Sequence, residues 1–192
     1  PEVASSADGR YLLVTVMVGF GRHDLHLLDT VTGAWHNLFV GHEVVTSFRF
    51  GGAGLVGRTT LDAPNGRVVT VGLDAPQSEH WRTVVPERPD VVIGAVACSG
   101  DELVVVAGRA AVDTVERWSL TGELAGTVEG LGLVSVPDAF AGPAGDVFLT
   151  VSAFHEPTAI WRLSGTELTR WCPDAPAASD LPPLTVSHTT YA

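Results

Sequence analysis

A polar turn recurs along this chain at Asp8-Gly9, Gly52 to Gly54, Gly100-Asp101 and Gly145-Asp146, at similar separations. A second mark keeps the same step. Leu28, Leu73, Leu120 and Leu163 each sit near the end of an apolar run, 45, 47 and 43 residues apart. A chain that repeats at such a period folds as an array of one supersecondary unit, because a single unit cannot bury its own apolar face. Within each period the apolar residues fall in short runs bounded by Gly, Pro and Asp, which reads as strands joined by tight turns. About four strands per unit at this period is the signature of a β-propeller blade. The expected class is therefore all-β, with four four-stranded blades.

The first blade takes Tyr11 to Val18 and Leu25 to Asp29, then turns at Thr32-Gly33 into Trp35 to Phe39. The second uses Thr46 to Phe50, Leu55 to Thr60, Val68 to Leu73 and Trp81 to Val85. The third runs through Ile93 to Cys98, Leu103 to Ala107, Thr114 to Leu120 and, after Thr121-Gly122, Leu124 to Val128. The fourth has Ser135 to Phe140, Val147 to Ser152, Ala159 to Leu163 and, after Ser164-Gly165, Glu167 to Trp171. The blades span approximately 1–40, 41–87, 88–130 and 131–171. In 172–192, Cys172 to Pro183 is rich in Pro, Ala and Asp and reads as a linker, with Leu184 to Ala192 extended again.

Composition narrows the function classes. A chain of 192 residues with 45% apolar and 17% charged residues is a folded domain rather than a disordered one. Its net charge of −11 argues against nucleic acid, which is held mainly by cations on its phosphates. No apolar stretch approaches the length of a membrane-spanning helix, so a membrane partner is not expected. Cys98 and Cys172 are too few for a disulfide scaffold, and Cys98 reads as a buried structural thiol. A reducing, cytoplasmic setting is the expectation, and no charged-then-apolar leader is visible.

One stretch carries more than the repeat. In Ala63 to Glu87, APNGRVVTVGLDAPQSEHWRTVVPE, Pro64-Asn65-Gly66 reverses the chain before Arg67 to Leu73, with Asn-Gly tolerating positive φ. A second break at Asp74-Ala75-Pro76 leads into His80 to Val85, where Trp81, Thr83 and Val85 share one face of a strand. This order of A-P-N-G-R, a strand, L-D-x-P, E-H-W-R and V-P-E resembles the propeller domain of the prolyl oligopeptidase serine peptidases. The likeness extends through Asp8-Gly9-Arg10-Tyr11, Asp24-Leu25-His26-Leu27-Leu28-Asp29, Gly94-Ala95-Val96-Ala97-Cys98, Thr150-Val151-Ser152-Ala153-Phe154 and Pro157, nearly the whole chain.

The resemblance implies four blades of a seven-bladed ring, with the catalytic α/β-hydrolase domain and its Ser, Asp and His elsewhere in a parent chain. It implies a non-catalytic role in gating and substrate selection for an enzyme that cleaves short peptides after proline. The matching family loop faces the cavity between propeller and catalytic domain, which makes Met17 and Phe20, with Arg22 beside them, the substrate-facing residues of Met17 to Asp24. An ordinary surface hairpin accounts for that loop equally well. A stand-alone propeller-type interaction module is the rival reading for the whole chain. Four blades cut from seven leave two apolar faces uncovered, and a homodimer through those end blades is the expected way to cover them.

The chain's own chemistry is sparse. A hydrolase nucleophile elbow has the pattern Gly-x-Ser-x-Gly, and no Ser here has Gly two places before it. Ser187-His188 near Asp180 offers triad side chains without that turn or an oxyanion hole. The seven His are scattered, with His23 and His26 on opposite faces of one strand, so neither a metal site nor another cofactor is expected. Asp101, Glu102 and Asp146 fall at turns and read as solvated. The five Trp read mainly as packing between blades.

Overall fold

Sixteen strands form four sheets in the computed structural model, which describes residues 1–154, 156–171 and 186–189. The first sheet is β1 (Glu2–Ser5), β2 (Tyr11–Met17), β3 (His23–Asp29) and β4 (Trp35–Phe39). The second is β5 (Thr46–Gly51), β6 (Gly54–Thr59), β7 (Arg67–Gly72) and β8 (Arg82–Val85). The third is β9 (Val92–Ser99), β10 (Glu102–Arg109), β11 (Val112–Ser119) and β12 (Leu124–Thr127). The fourth is β13 (Ser135–Ala141), β14 (Val147–Ala153), β15 (Glu156–Ser164) and β16 (Glu167–Arg170). Each sheet keeps its strands in chain order, the antiparallel meander of a propeller blade. The recurrent polar turn joins the first strand to the second in every blade. Gly9, Gly52, Gly100 and Gly145 take φ of 71°, 58°, 60° and 87° there, a backbone region glycine enters without steric cost.

Packing divides the chain into two units, 1–89 with 119–123, and 90–118 with the described residues from 124 onward. In the first unit, Leu13, Leu25 and Leu27 of blade one meet Phe48, Leu55, Val69 and Val71 of blade two. Trp81 closes this core with ring centroids 5.1 Å from Phe48 and 5.7 Å from Phe39. Its indole N–H donates to Pro76 O at 2.9 Å, so the buried donor is satisfied. Gly57 lets β6 approach β5, since a Cβ there would run into the Ser47 carbonyl oxygen. The A-P-N-G and V-P-E motifs meet in space. Asn65 N–H donates to Glu87 Oε1 at 2.6 Å and Asn65 Nδ2 to Arg88 O at 3.3 Å, tying the turn to the end of its own blade.

In the second unit, Val104, Val106 and Val115 of blade three pack with Val136, Val147, Leu149 and Val151 of blade four. Asp113 bolts the two blades together: its Oδ2 accepts from Val136 N–H at 2.7 Å and from Ser135 Oγ at 3.2 Å. β10 is buried from Leu103 through Ala107, both faces included, which is why its sequence runs apolar without alternation.

Several expectations need correction. Blade one has a first strand, β1, that its sequence did not advertise, because four residues with one half-buried side chain carry no alternation to read. His80 and Trp81 lie outside β8. His80 ends a 3₁₀ turn, Ser78–His80, and Trp81 follows it. A bulge then pairs Val68 with Val85 but Val69 with Thr83, so Val84 and Val85 are both buried while Thr83 is exposed. At the Pro64-Asn65-Gly66 turn only Gly66 takes positive φ. Cys98 is half-buried rather than buried, its Sγ 3.6 Å from Gly100 O. Trp81 packs between blades as expected, but Trp35 and Trp171 are exposed. Glu102 receives a two-pronged hydrogen bond from Arg117 at 2.7 and 2.6 Å, and Asp146 pairs with Arg162 at 2.9 Å, so neither is merely solvated. The linker from Cys172 to Pro183 lies outside the described residues. Of the segment from Leu184 on, 186–189 are described and form no regular element.

Candidate functional site

The loop singled out from sequence is shorter than its motif, because β3 begins at His23 and leaves 18–22 as the connection from β2. Val18 N–H donates to Arg22 O at 2.8 Å and closes this hairpin, and Gly19 supplies its positive φ of 70°. The base is held from three directions. Arg22 donates through Nε and Nη2 to the two Asp24 oxygens at 2.9 and 2.7 Å. Asp24 Oδ1 also accepts from Gly41 N–H at 2.9 Å, in the connection between β4 and β5. His23 N–H donates to Val44 O at 2.9 Å, and its Nδ1 lies 2.6 Å from Thr46 O on blade two.

The electrostatics follow from those contacts. The Arg22 guanidinium, then the Gly41 N–H, hold the Asp24 carboxyl down at about 2, against the opposing effect of burial. Arg22 is held above its ordinary value by the same carboxylate. Arg22 therefore ties the loop to the Asp24 carboxylate while its side chain stays about a third exposed. Met17 and Val18 are exposed, and Phe20 projects fully, at 107% of its reference area. The structure thus gives the three residues two different settings: Met17 and Phe20 are exposed, and Arg22 is half-buried and paired with Asp24.

The same connection in blade four, between β14 and β15, carries Phe154, which is 95% exposed. In the sequence Phe154 stands out only as the end of the Thr150 to Phe154 motif. The signal that finds it is its place in the repeat, in the connection from the second strand of its blade to the third, as for Phe20. Ser187 and His188 are both exposed, and Asp180 lies outside the described residues. Among the described residues no three of His, Cys, Asp or Glu converge as metal ligands. No helix among them is long and apolar enough to cross a membrane.

No curated protein matches this sequence. Solved structures do match in fold. A prolyl endopeptidase, from a comparison of two such enzymes concerned with inter-domain dynamics in catalysis and specificity, superimposes with a TM-score of 0.78 at 22% identity, over 88% of this chain and 26% of its own. Prolyl oligopeptidase B from Galerina marginata, bound to a 25mer macrocyclization substrate, gives 0.71 at 22% identity, over 88% and 25%. Oligopeptidase B from Trypanosoma brucei with covalently bound antipain gives 0.66 at 19% identity, over 88% and 26%. The chain thus spans about a quarter of the length of these enzymes. The family model of the prolyl oligopeptidase N-terminal beta-propeller domain matches residues 2–170. With that match over the four blades, the chain belongs to the N-terminal β-propeller domain family of the prolyl oligopeptidases.

Proposed function

We propose that this chain is the gating and substrate-selecting propeller part of a prolyl oligopeptidase-like serine peptidase that hydrolyses short peptides after proline. The family match over 2–170 carries the reading. The loop geometry supports it: an aromatic ring held clear of the surface on a base fixed by Asp24, Arg22 and Gly41 is suited to touching a ligand without rearranging. In this reading the blades occupy 1–40, 41–87, 88–130 and 131–171, and 172–192 links them to the rest of the parent. The partners are a catalytic α/β-hydrolase domain on the parent chain and a short peptide, in the cytoplasm. The catalytic domain supplies nucleophile, base and oxyanion donors, while Met17 and Phe20 contact the outer residues of the peptide.

The parent gene and enzyme test this. A nucleophile elbow in the parent, cleavage of a chromogenic proline peptide by the parent, and no cleavage by this chain alone are the expected results. Turnover by this chain that disappears in Ser187→Ala would overturn the non-catalytic role. A parent without a nucleophile elbow would turn the chain into an interaction module.

A further inference from the structure

Asparagine occurs twice in this chain, as Asn37 and Asn65, and only Asn65 is followed by glycine. That pair is chemically the less durable of the two. A side-chain amide is lost when the main-chain nitrogen of the next residue attacks the Asn Cγ, and glycine leaves that nitrogen unhindered because it carries no side chain. After Asn37 comes Leu38, a branched residue buried in β4.

The fold holds both ends of that reaction. Ala63 to Gly66 form a type I turn: Gly66 N–H donates to Ala63 O at 2.7 Å, Pro64 takes the first central position, and Asn65 keeps a negative φ. Gly66, whose nitrogen is the nucleophile, is buried. The leaving group, Asn65 Nδ2, donates to Arg88 O at 3.3 Å. Asn65 N–H donates to Glu87 Oε1 at 2.6 Å and fixes the residue's own backbone. Together these bonds latch the turn onto 87–88, just before the first unit ends at Pro89. Ring closure needs Asn65 to rotate about its Cα–C bond, away from the ψ of about 0° that a type I turn requires there. That rotation breaks the Gly66 hydrogen bond first.

We infer that Asn65 is a gated modification site: the closed latch protects it, and release from Glu87 and Arg88 exposes it to deamidation. The Gly66 nitrogen bonds to Asn65 Cγ, the Cγ–Nδ2 bond breaks, and the proton from Gly66 N ends on the departing ammonia. Water then opens the resulting succinimide at either carbonyl, giving aspartate or isoaspartate at 65. Neither product refits the latch. Aspartate has no N–H for Arg88 O and sets a second carboxylate beside Glu87. Isoaspartate lengthens the main chain by one carbon, so Gly66 N–H no longer closes on Ala63 O. A transient opening of blade two thereby becomes a lasting one, and the modified fraction records how long the latch has stood open. This site is independent of the peptidase reading.

The test incubates the native 192-residue chain, the same chain unfolded in urea, and a blocked Ala-Pro-Asn-Gly-Arg peptide in one mildly alkaline buffer. Mass spectrometry of digests follows aspartate and isoaspartate at 65. The unfolded chain and the peptide should convert at similar rates, and the native chain at least about tenfold more slowly. Asn37 should lag in every sample. Glu87→Ala removes the acceptor for Asn65 N–H and should speed conversion in the folded chain by about tenfold, whereas Glu87→Gln keeps an acceptor and the protection. Circular dichroism checks that both variants fold; if Glu87→Ala does not, the native chain against the peptide decides the gate alone. Hydrogen exchange in β7 and β8 should be faster in chain enriched in isoaspartate than in fresh chain. Equal rates in native chain and peptide, or full protection in folded Glu87→Ala, would overturn the gate. No conversion in the unfolded chain would overturn the site, and unchanged exchange after modification would overturn the lasting opening.

Discussion

Phe20→Ala separates a ring placed for contact from a ring that holds the fold. Phe20 exposes 107% of its reference area, whereas Phe48 exposes 1% and packs on Trp81 in the core of the first unit. Truncating Phe48 leaves a cavity among close-packed side chains and should cost about 3–5 kcal/mol. Truncating Phe20 uncovers nothing, so the folding free energy should move by less than about 0.5 kcal/mol. The functional side can be worked in the same terms. A ring that buries about 100 Å² against a peptide residue, at about 25 cal/mol per Å², contributes about 2.5 kcal/mol. Ordering the loop and the peptide offsets part of that, leaving a fall in kcat/KM of about 10- to 50-fold. Urea denaturation of both variants in this chain measures the first prediction. Specificity constants of the parent enzyme for short substrates differing at their outer residues measure the second. A large loss of stability in Phe20→Ala with unchanged kinetics would refute the reasoning and make Phe20 a structural residue.

The Asp24 clamp should titrate far below ordinary carboxylates. A group whose folded pKa is depressed contributes its full stability above the unfolded value and loses it as pH falls through the folded one. The loop 18–22 should therefore stay ordered down to about pH 4 and loosen as pH approaches about 2, followed by the Asp24 carboxyl carbon shift, and Arg22→Ala should move that midpoint up toward 3.8. Gly57→Ala should destabilise the chain by about 1–3 kcal/mol, because the new methyl must push the Ser47 carbonyl and part β5 from β6; an unchanged urea midpoint would contradict the register. In the first unit blade one exposes Val3 and Trp35, and in the second unit blade four exposes Phe140 and Trp171. Apolar sheet faces of this kind favour pairing of two copies, so light scattering on a dilution series should give a dimer that dissociates on dilution; a compact monomer throughout, with no dye-accessible apolar surface, rules pairing out.

The repeat was legible because its punctuation is local chemistry. Gly9, Gly52, Gly100 and Gly145 mark one turn in four blades because only glycine takes that backbone conformation cheaply, and Leu28, Leu73, Leu120 and Leu163 keep step on or just after the third strands. Those marks, with short β-rich runs between them, determined the all-β propeller class and the place of most strands. What sequence could not carry was anything set by a neighbour distant along the chain. Thr83 turns outward because a bulge opposite Val68 and Val69 breaks the alternation. The Asp24 carboxylate that pairs with Arg22 is itself fixed by the Gly41 N–H, seventeen positions on and beyond β4. A groove beside Phe154 exists only once Asp113 has joined blade four to blade three. Turn chemistry is written within a few residues, so the sequence alone determined the architecture. Exposure and the shape of a groove are sums over residues distant along the chain, so only the tertiary structure decided which side chains are exposed.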